Sequence, residues 1–272
     1  MGFINFHVHS EFCHGIGSPE EYVKAAIKNN VESIGFSSHA PLPFKKAWTM
    51  KEENLKEYCN SVEILKSKYK NRISIFLGFE VDYIPELRRF DDFRALGADY
   101  IIGSNHFIGK DKYGRYQRIE SIKTGVIIEK DPEHYIRNYF DSISNMVIHE
   151  KPDIVGHFVL IKKINLKKQY FDQEDKWYQN TVNKTLKIIE NSNTIIEVNT
   201  SKLTRNSSQW LFPSIDILEK CYSLNIPITL GSDAHIPEDI IAGYTEAFAL
   251  LRDIGFKTMM TLTSDGWKQR II

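Results

Sequence analysis

The nine histidines of this 272-residue chain are distributed unevenly relative to its apolar segments. Seven of them stand at, or a few residues beyond, the ends of short runs rich in Ile, Val and Phe. These seven are His7, His9, His14, His39, His106, His157 and His235. If each run is a strand, strand ends make up roughly a tenth of the chain, and chance would place about one histidine there. Because imidazole is a common metal ligand, the distribution predicts a metal site.

The spacing of individual residues fits the same chemistry. His7 and His9 are two apart on a strand-like segment, so both side chains point the same way and can share one ion. Glu80 and Asp233 end two other apolar runs and offer oxygen ligands, and Asp233 and His235 repeat the two-apart spacing. The seven histidines with these two acids give nine candidate ligands. One catalytic ion takes three or four, so the set predicts two or three divalent ions, Zn, Mn or Fe, with Glu80 as a bridge.

Other polar residues near the run ends have simpler interpretations. His134 and His149 are predicted to be surface residues. Cys13, beside His14, is more typical of a small packed thiol than of a zinc ligand. Ser37 and Ser38 lack a G-x-S-x-G setting, which disfavours a serine nucleophile.

Three further groups are open to two interpretations. Gly15 to Gly17 is too short for a phosphate-cradling loop and predicts a turn. Glu197 is either a carboxylate inside the barrel or a surface one. Lys162 and Arg205 follow two of the strands and are candidate phosphate-binding residues, the alternative being solvated charges.

Strand-like and helical segments alternate along the chain, and these segments must position the candidate ligands. Seven continuously apolar runs, each followed by a helical stretch, are typical of parallel strands covered on both faces. They predict an α/β fold: a single-domain, distorted (β/α)7 TIM-like barrel over residues 1–272, with the active site at the C-terminal ends of the strands. An open doubly wound sheet is the alternative. The runs are 4–9, 33–38, 73–79, 100–104, 153–156, 194–198 and 227–232.

Local signals place some helices and one long connection. Ser18 as N-cap, Pro19 at the first helical position and Glu21 three residues on predict a helix start. A second helix is predicted around 51–69. The longest connection, about 107–152, has a polar part that we expect at the rim of the site and a helix after Pro132.

Composition excludes several classes of protein. The chain has 35 basic and 35 acidic residues, which argues against nucleic acid as a partner. No apolar run approaches the roughly 18 residues of a membrane span, and the N-terminal segment has no signal-peptide pattern. Three cysteines without a CxxC pair favour a reducing, cytoplasmic location. Nothing in the sequence indicates an oligomeric state.

Six motifs together resemble the polymerase-and-histidinol-phosphatase (PHP) superfamily, and within it the PHP-type histidinol-phosphate phosphatases. They occur in the order expected for that family and span essentially the whole chain. The motifs are His7-Val8-His9, Ser38-His39-Ala40-Pro41, Gly78-Phe79-Glu80-Val81-Asp82-Tyr83, Asn105-His106-Phe107, Gly156-His157-Phe158 and Gly231-Ser232-Asp233-Ala234-His235.

The resemblance implies a metallohydrolase barrel with up to three ions. It implies that His7, His9, Glu80 and Asp233 hold one ion, that Glu80, His106 and His157 hold a second, and that His14, His39 and His235 hold a third. The implied reaction is hydrolysis of L-histidinol phosphate, a small phosphate ester of histidine biosynthesis, by a metal-bridging hydroxide. Asp233 and His235 are the candidates for proton transfer to the leaving group.

The chain departs from the family pattern in two places. Val159 stands where the family often has aspartate, and Lys202 to Arg205 replace a Gly-Leu-Arg type of sequence. Both lie where the substrate would be held. A phosphoesterase acting on another small phosphate ester or nucleotide is therefore the first alternative, and a non-enzymatic metal-binding module is the second.

Overall fold

Seven parallel strands form a nearly closed barrel, as the sequence predicts. This computed structural model describes residues 2–44, 46–85, 87–110, 113–119, 128–165, 169–201, 203 and 211–272. The barrel strands, in their order around the sheet, are β1 (Phe3–Asn5), β2 (Val31–Phe36), β3 (Ser74–Asp82), β4 (Tyr100–Ser104), β7 (Ile154–Val155), β8 (Ile195–Asn199) and β9 (Ile228–Gly231). Every pair of neighbouring strands in this order is parallel.

The seam between the first and last strands is bridged just beyond their ends. The backbone N–H of His9 donates to the Ala234 carbonyl at 2.9 Å, within a parallel bridge between Val8 and Ala234. The buried Asn5 amide adds a side-chain bond of 2.7 Å to Ser232 Oγ. The barrel is thus closed at its carboxyl end, which brings the first ten residues against the segment after β9.

Helices cover the outside of the sheet. They are α1 (Pro19–Lys28), α2 (Leu55–Tyr69), α3 (Phe90–Arg94), α4 (Pro132–His149), α5 (Lys162–Asn165), α6 (Lys176–Glu190), α7 (Ile215–Ser223) and α8 (Tyr244–Ile254). Helix α1 begins as predicted, because the Glu21 carboxylate accepts from the Ser18 backbone N–H at 2.7 Å. Within the described ranges, no helix has the length and apolar character needed to cross a bilayer.

Two antiparallel hairpins were not anticipated from the sequence pattern. The first joins β5 (Phe107–Lys110) to β6 (Tyr116–Arg118) within the long connection. The second joins β10 (Thr258–Thr263) to β11 (Gly266–Ile271) near the end of the chain. Its turn ends at Gly266 with a φ of +96°, a conformation that favours glycine.

Candidate metal centre

The barrel brings all nine candidate ligands into one cluster at the carboxyl ends of its strands. The Nε2 atoms of His7 and His9 are 3.1 Å apart, so the two-apart spacing does direct both rings the same way. The ring of His9 stacks on that of His235 with centroids 4.3 Å apart. The His14 ring is also 4.3 Å from that of His235. Residues separated by more than 220 positions along the chain are therefore in direct contact.

The Glu80 carboxylate, at the end of β3, lies at the centre of the cluster and is 1% exposed. Its Oε2 atom is 2.9 Å from His39 Nδ1. The same oxygen lies 3.3 Å from His7 Nε2 and 3.4 Å from His9 Nε2. One side of this carboxylate therefore faces the imidazoles of the first two strands.

The other side of Glu80 faces the middle of the sheet. Its Oε1 atom is 2.8 Å from His157 Nε2 and 3.6 Å from His106 Nε2. The same oxygen accepts a hydrogen bond of 2.7 Å from Ser104 Oγ. A single carboxylate with both oxygens among imidazole nitrogens has the position of a bridging ligand, as the sequence suggested.

Four groups of donor atoms within the described residues are close enough together to hold an ion. In each group the donor atoms lie within 4.8 Å of one another. The groups are His7, His9 and Asp233; Glu80, His106 and His157; His39, Asp82 and His106; and His9, His14, His39 and His235. Shared members join the groups into one continuous patch of nitrogen and oxygen donors.

Buried partners behind the cluster fix the orientation of its imidazoles. His7 Nδ1 is 2.5 Å from Glu197 Oε1, and His106 Nδ1 is 2.9 Å from Asp82 Oδ1. Because each Nδ1 is bound on its outer side, each Nε2 is directed inward. This is the arrangement that orients metal-ligating histidines in proteins.

Two members of the cluster have unusual backbone conformations. His157 has a φ of +26° and Asp233 a φ of +50°, both outside the regions that non-glycine residues prefer. Such residues each cost about 1–3 kcal/mol and persist only where their surroundings enforce them. The Glu197 carboxylate accepts from the His157 N–H at 2.8 Å, and Asn199 Nδ2 donates to Asp233 Oδ2 at 3.3 Å.

Burial and charge act in opposite directions in this cluster. Burial alone would raise the pKa of Glu80, but the nearby imidazoles of His39, His7 and His106 hold the pKa well below its ordinary value. Burial also lowers the pKa of His39 to about 4, against the attraction of Glu80. The carboxylate is thus ionised and His39 is neutral near pH 7, which are the forms that bind a cation.

Some buried nitrogen and oxygen atoms of the cluster have no hydrogen-bond partner. Among the described residues, His39 Nδ1, Glu80 Oε2 and His157 Nδ1 are buried and have no hydrogen-bond partner. The 2.9 Å approach between His39 Nδ1 and Glu80 Oε2 is not aligned as a hydrogen bond. Since buried polar groups are normally satisfied, these atoms are available as ligands to cations.

The remaining predicted residues have varied positions. His134 and His149 are exposed, in agreement with the prediction. Cys13 is half-buried, and its Sγ atom is 3.5 Å from His9 Nδ1, so the thiol packs against the cluster. Lys162 is buried on α5, where desolvation lowers the pKa of its ammonium against the attraction of Asp216. Arg205 lies outside the described residues.

The serines and the glycine turn have structural roles. Ser37 Oγ accepts from the Val8 N–H at 3.0 Å and so joins β1 to β2 near the site. The Gly15 to Gly17 segment is a turn whose Ile16 N–H donates to the His235 carbonyl at 2.7 Å. Val159 is fully buried in the apolar core, so this departure from the family pattern replaces a polar residue by a packed one.

The sequence pattern does not reveal the residues that orient the ligands, nor a tryptophan that packs against two of them. Asp82 is one of these, and its place two residues after Glu80, on the same face of β3, is the signal that could have identified it. The Trp48 ring contacts those of His39 and His106 edge-on, with centroids 4.6 Å and 5.3 Å away. The Arg118 guanidinium lies 5.0 Å from the Trp48 ring. No periodic signal marks Trp48, because it lies in an irregular loop.

Comparison with known proteins agrees with this description of fold and cluster. The PHP domain family model matches residues 5–201, and the chain therefore belongs to the PHP domain family. A histidinol-phosphatase from Bacillus subtilis is 31% identical over 89% of this chain and 96% of its own length. A histidinol-phosphatase from Lactococcus lactis subsp. lactis is 24% identical over 97% of this chain and 95% of its own length.

A solved structure has the same fold over nearly the full length of both chains. It is a histidinol phosphate phosphatase from Lactococcus lactis subsp. lactis in complex with Zn, L-histidinol and phosphate. The TM-score is 0.72 at 20% identity, and the match covers 98% of this chain and 99% of the other.

Proposed function

We propose that this PHP-family chain is a metal-dependent phosphatase that hydrolyses L-histidinol phosphate to L-histidinol and phosphate. The observation that carries the proposal is the single cluster of seven imidazoles and two carboxylates around Glu80. The relatives that match nearly the whole chain are histidinol-phosphatases by name, which supports this substrate over other phosphate esters.

The ligand sets are those that the family resemblance implies, and the proximity of their donor atoms supports them. We assign His7, His9, Glu80 and Asp233 to a first ion, Glu80, His106 and His157 to a second, and His14, His39 and His235 to a third. Imidazole with carboxylate suits Zn, Mn or Fe. When bound, two or three such ions neutralise phosphoryl oxygens and make hydroxide available near neutral pH.

The chain's own residues hold this arrangement and define its opening. His14 is exposed and the His235 side chain is 35% exposed, whereas His7, His9 and Glu80 are almost fully buried. We infer that the ester enters from the side of His14 and His235. We place Lys162 and Arg205 as phosphate-binding residues, since a dianion in this cleft needs cations beyond the ligand shell.

The leaving alkoxide needs a proton. We assign its delivery to the pair formed by Asp233 and His235, whose side chains are 18% and 35% exposed and can relay a proton taken from solvent to the alkoxide. His235 Nδ1 is 2.8 Å from the Asp233 carbonyl oxygen, which can only accept, so Nδ1 carries the proton of that bond. The Nε2 atom of His235 is thereby turned away from its own backbone.

Phosphate release from L-histidinol phosphate, with metal analysis of the same preparation, tests the proposal. We expect turnover that a chelator abolishes and that added Zn, Mn or Fe restores. Turnover that persists in metal-free protein would contradict the metal centre. A panel of phosphate esters compared by kcat/KM tests the substrate, and a higher value for a nucleotide or sugar phosphate would replace histidinol phosphate.

A further inference from the structure

Glu197 is the most deeply buried acid near the cluster and none of the proposed ligand sets includes it. It lies in the middle of β8, is 0% exposed, and has both carboxylate oxygens engaged. Oε1 faces His7 Nδ1 at 2.5 Å, while Oε2 accepts from the backbone N–H of His157 at 2.8 Å. One side chain on β8 thus holds residues that follow β1 and β7.

A third contact extends this network to the segment after β9. Asn199 Nδ2 donates to Glu197 Oε2 and to Asp233 Oδ2, both at 3.3 Å. The two residues reached in this way, His157 at its backbone N–H and Asp233 at its side chain, are the two cluster residues with positive φ. Glu197 is therefore joined, directly or through one amide, to ligands from three different strand ends.

The Glu197 carboxylate occupies space that is open because Gly231 on β9 has no side chain. A Cβ atom at Gly231 would collide with Glu197 Oε1 and would come within 2.8 Å of the His7 Cβ. The carboxylate consequently sits against the backbone of β9, behind the imidazoles. From there its two oxygens cannot turn toward the centre of the cluster without breaking both bonds.

We propose that Glu197 is a positioning residue that couples the first and second metal positions by fixing the His7 ring and the His157 backbone together. The inference rests on the proposed metal centre. Asp82, by contrast, hydrogen-bonds to one cluster residue within the described part of the chain, His106, through its ring Nδ1 at 2.9 Å and its backbone N–H at 3.0 Å. The two acids therefore differ in how many metal positions depend on them.

The experiment compares Glu197→Gln, Glu197→Asp and Asp82→Asn with Glu150→Gln as the matched control. Glu150 is also a buried acid that accepts from one backbone N–H, that of Phe90 at 2.9 Å, and pairs with Arg89 at 2.8 Å. Metal-free proteins are titrated with Zn²⁺ in competition with a chromophoric chelator, and near-UV circular dichroism reports folding before each titration.

We expect Glu197→Gln to weaken two Zn²⁺ sites together by about 10- to 100-fold each, the usual loss for an outer partner of a ligand. Asp82→Asn weakens one site, and Glu150→Gln weakens none. Glu197→Asp keeps the charge but withdraws the carboxylate, and it should resemble Glu197→Gln. Wild-type affinity at both sites in either folded Glu197 variant would overturn the inference.

A second measurement on the Zn²⁺-loaded wild type is independent of whether the variants fold. Nitrogen-15 NMR of labelled histidines should show His7 protonated at Nδ1, with slow solvent exchange, because Glu197 accepts that proton. A His7 ring protonated at Nε2 would overturn the inference even if no variant folds. If the wild type binds none of Zn²⁺, Mn²⁺ and Fe²⁺, the proposed function fails instead, so the two failures are distinguishable.

Discussion

At the amino ends of its strands the barrel is filled by aromatic packing, whereas at the carboxyl ends it is lined by buried polar groups. The Trp267 ring of the β10–β11 hairpin packs edge-on against Tyr100, the first residue of β4, with centroids 6.3 Å apart. Its Nε1 donates to Asp153 Oδ1 at 3.2 Å, so the polar atom of this ring is satisfied. At the other end, His39 Nδ1 and Glu80 Oε2 face each other without a hydrogen bond.

The amino end of the barrel thus contributes to stability, and the carboxyl end provides the groups that bind metal. Apolar rings with satisfied polar atoms contribute to the free energy of unfolding in any state of the protein. Buried polar atoms that lack partners disfavour the metal-free fold and are useful only when a cation is bound. Substitutions at the two ends should therefore have different consequences, and four of them test this.

The largest effect is expected at the centre of the cluster. Glu80→Gln removes the negative charge of the carboxylate that faces imidazoles on both sides and replaces one of its oxygens by NH2, so the first and second ions can no longer share it. Loss of an outer partner already costs about 10- to 100-fold, and the central ligand should cost on the order of 10³-fold or more in kcat/KM. Metal content and phosphate release measure this, with Glu150→Gln as the control. Near-normal activity with two bound ions would exclude Glu80 as the bridge.

The next effect tests the proton assigned to the leaving group. His235→Ala should reduce kcat for L-histidinol phosphate by about 10²-fold, as is usual when an acid is lost. The reduction should be much smaller for p-nitrophenyl phosphate, whose leaving group needs no proton. The ratio of the two kcat values is the measurement. An equal loss for both esters would show that His235 acts only in binding metal.

A substitution at the amino end of the barrel should lower the free energy of unfolding without changing kcat. Trp267→Ala removes a half-buried ring from the base of the barrel and should lower the free energy of unfolding by about 2 kcal/mol. Ile271→Ala, at an exposed position of the same strand, should change it by less than about 0.5 kcal/mol. Urea unfolding gives both values. The kcat of folded Trp267→Ala protein should match the wild type, and a large drop in kcat would show that the two ends are coupled.

The smallest effect concerns substrate binding. Lys162→Met keeps the apolar stem of a buried lysine and removes its charge. If the ammonium binds phosphate in both ground and transition states, KM rises about tenfold while kcat is unchanged. Lys163→Met, one residue further along the same short helix, is the control. An unchanged KM in Lys162→Met would leave the ammonium a role in packing only.

Much of the fold follows from patterns that are local in the sequence. Each barrel strand is a short apolar run, and the helix start at Ser18, Pro19 and Glu21 is a local hydrogen-bonding signal. The hairpins were missed because their pattern is weaker. The exposure of β11 is irregular along the strand, and β5 and β6 are only four and three residues long.

Strand geometry predicts where the metal-ligand cluster lies, but it does not predict the contacts that support the ligands. Parallel strands bring their carboxyl ends to one face of a barrel, so histidines at those ends must approach one another. The sequence does not decide whether Glu197 lies inside the barrel or on its surface, because strand alternation alone does not indicate which face of β8 points inward. Its contact with His7 spans 190 positions and depends on how the barrel closes.

The amino-acid sequence by itself determined the chemical types of the ligands and the end of the barrel at which they gather, because both depend on residue identity and strand direction. Only the tertiary structure decided that Glu80 lies between His39 and His157, and that Glu197 lies behind His7. Those relations are set by strand register and by the closure at Val8 and Ala234, which involve residues far apart in the chain.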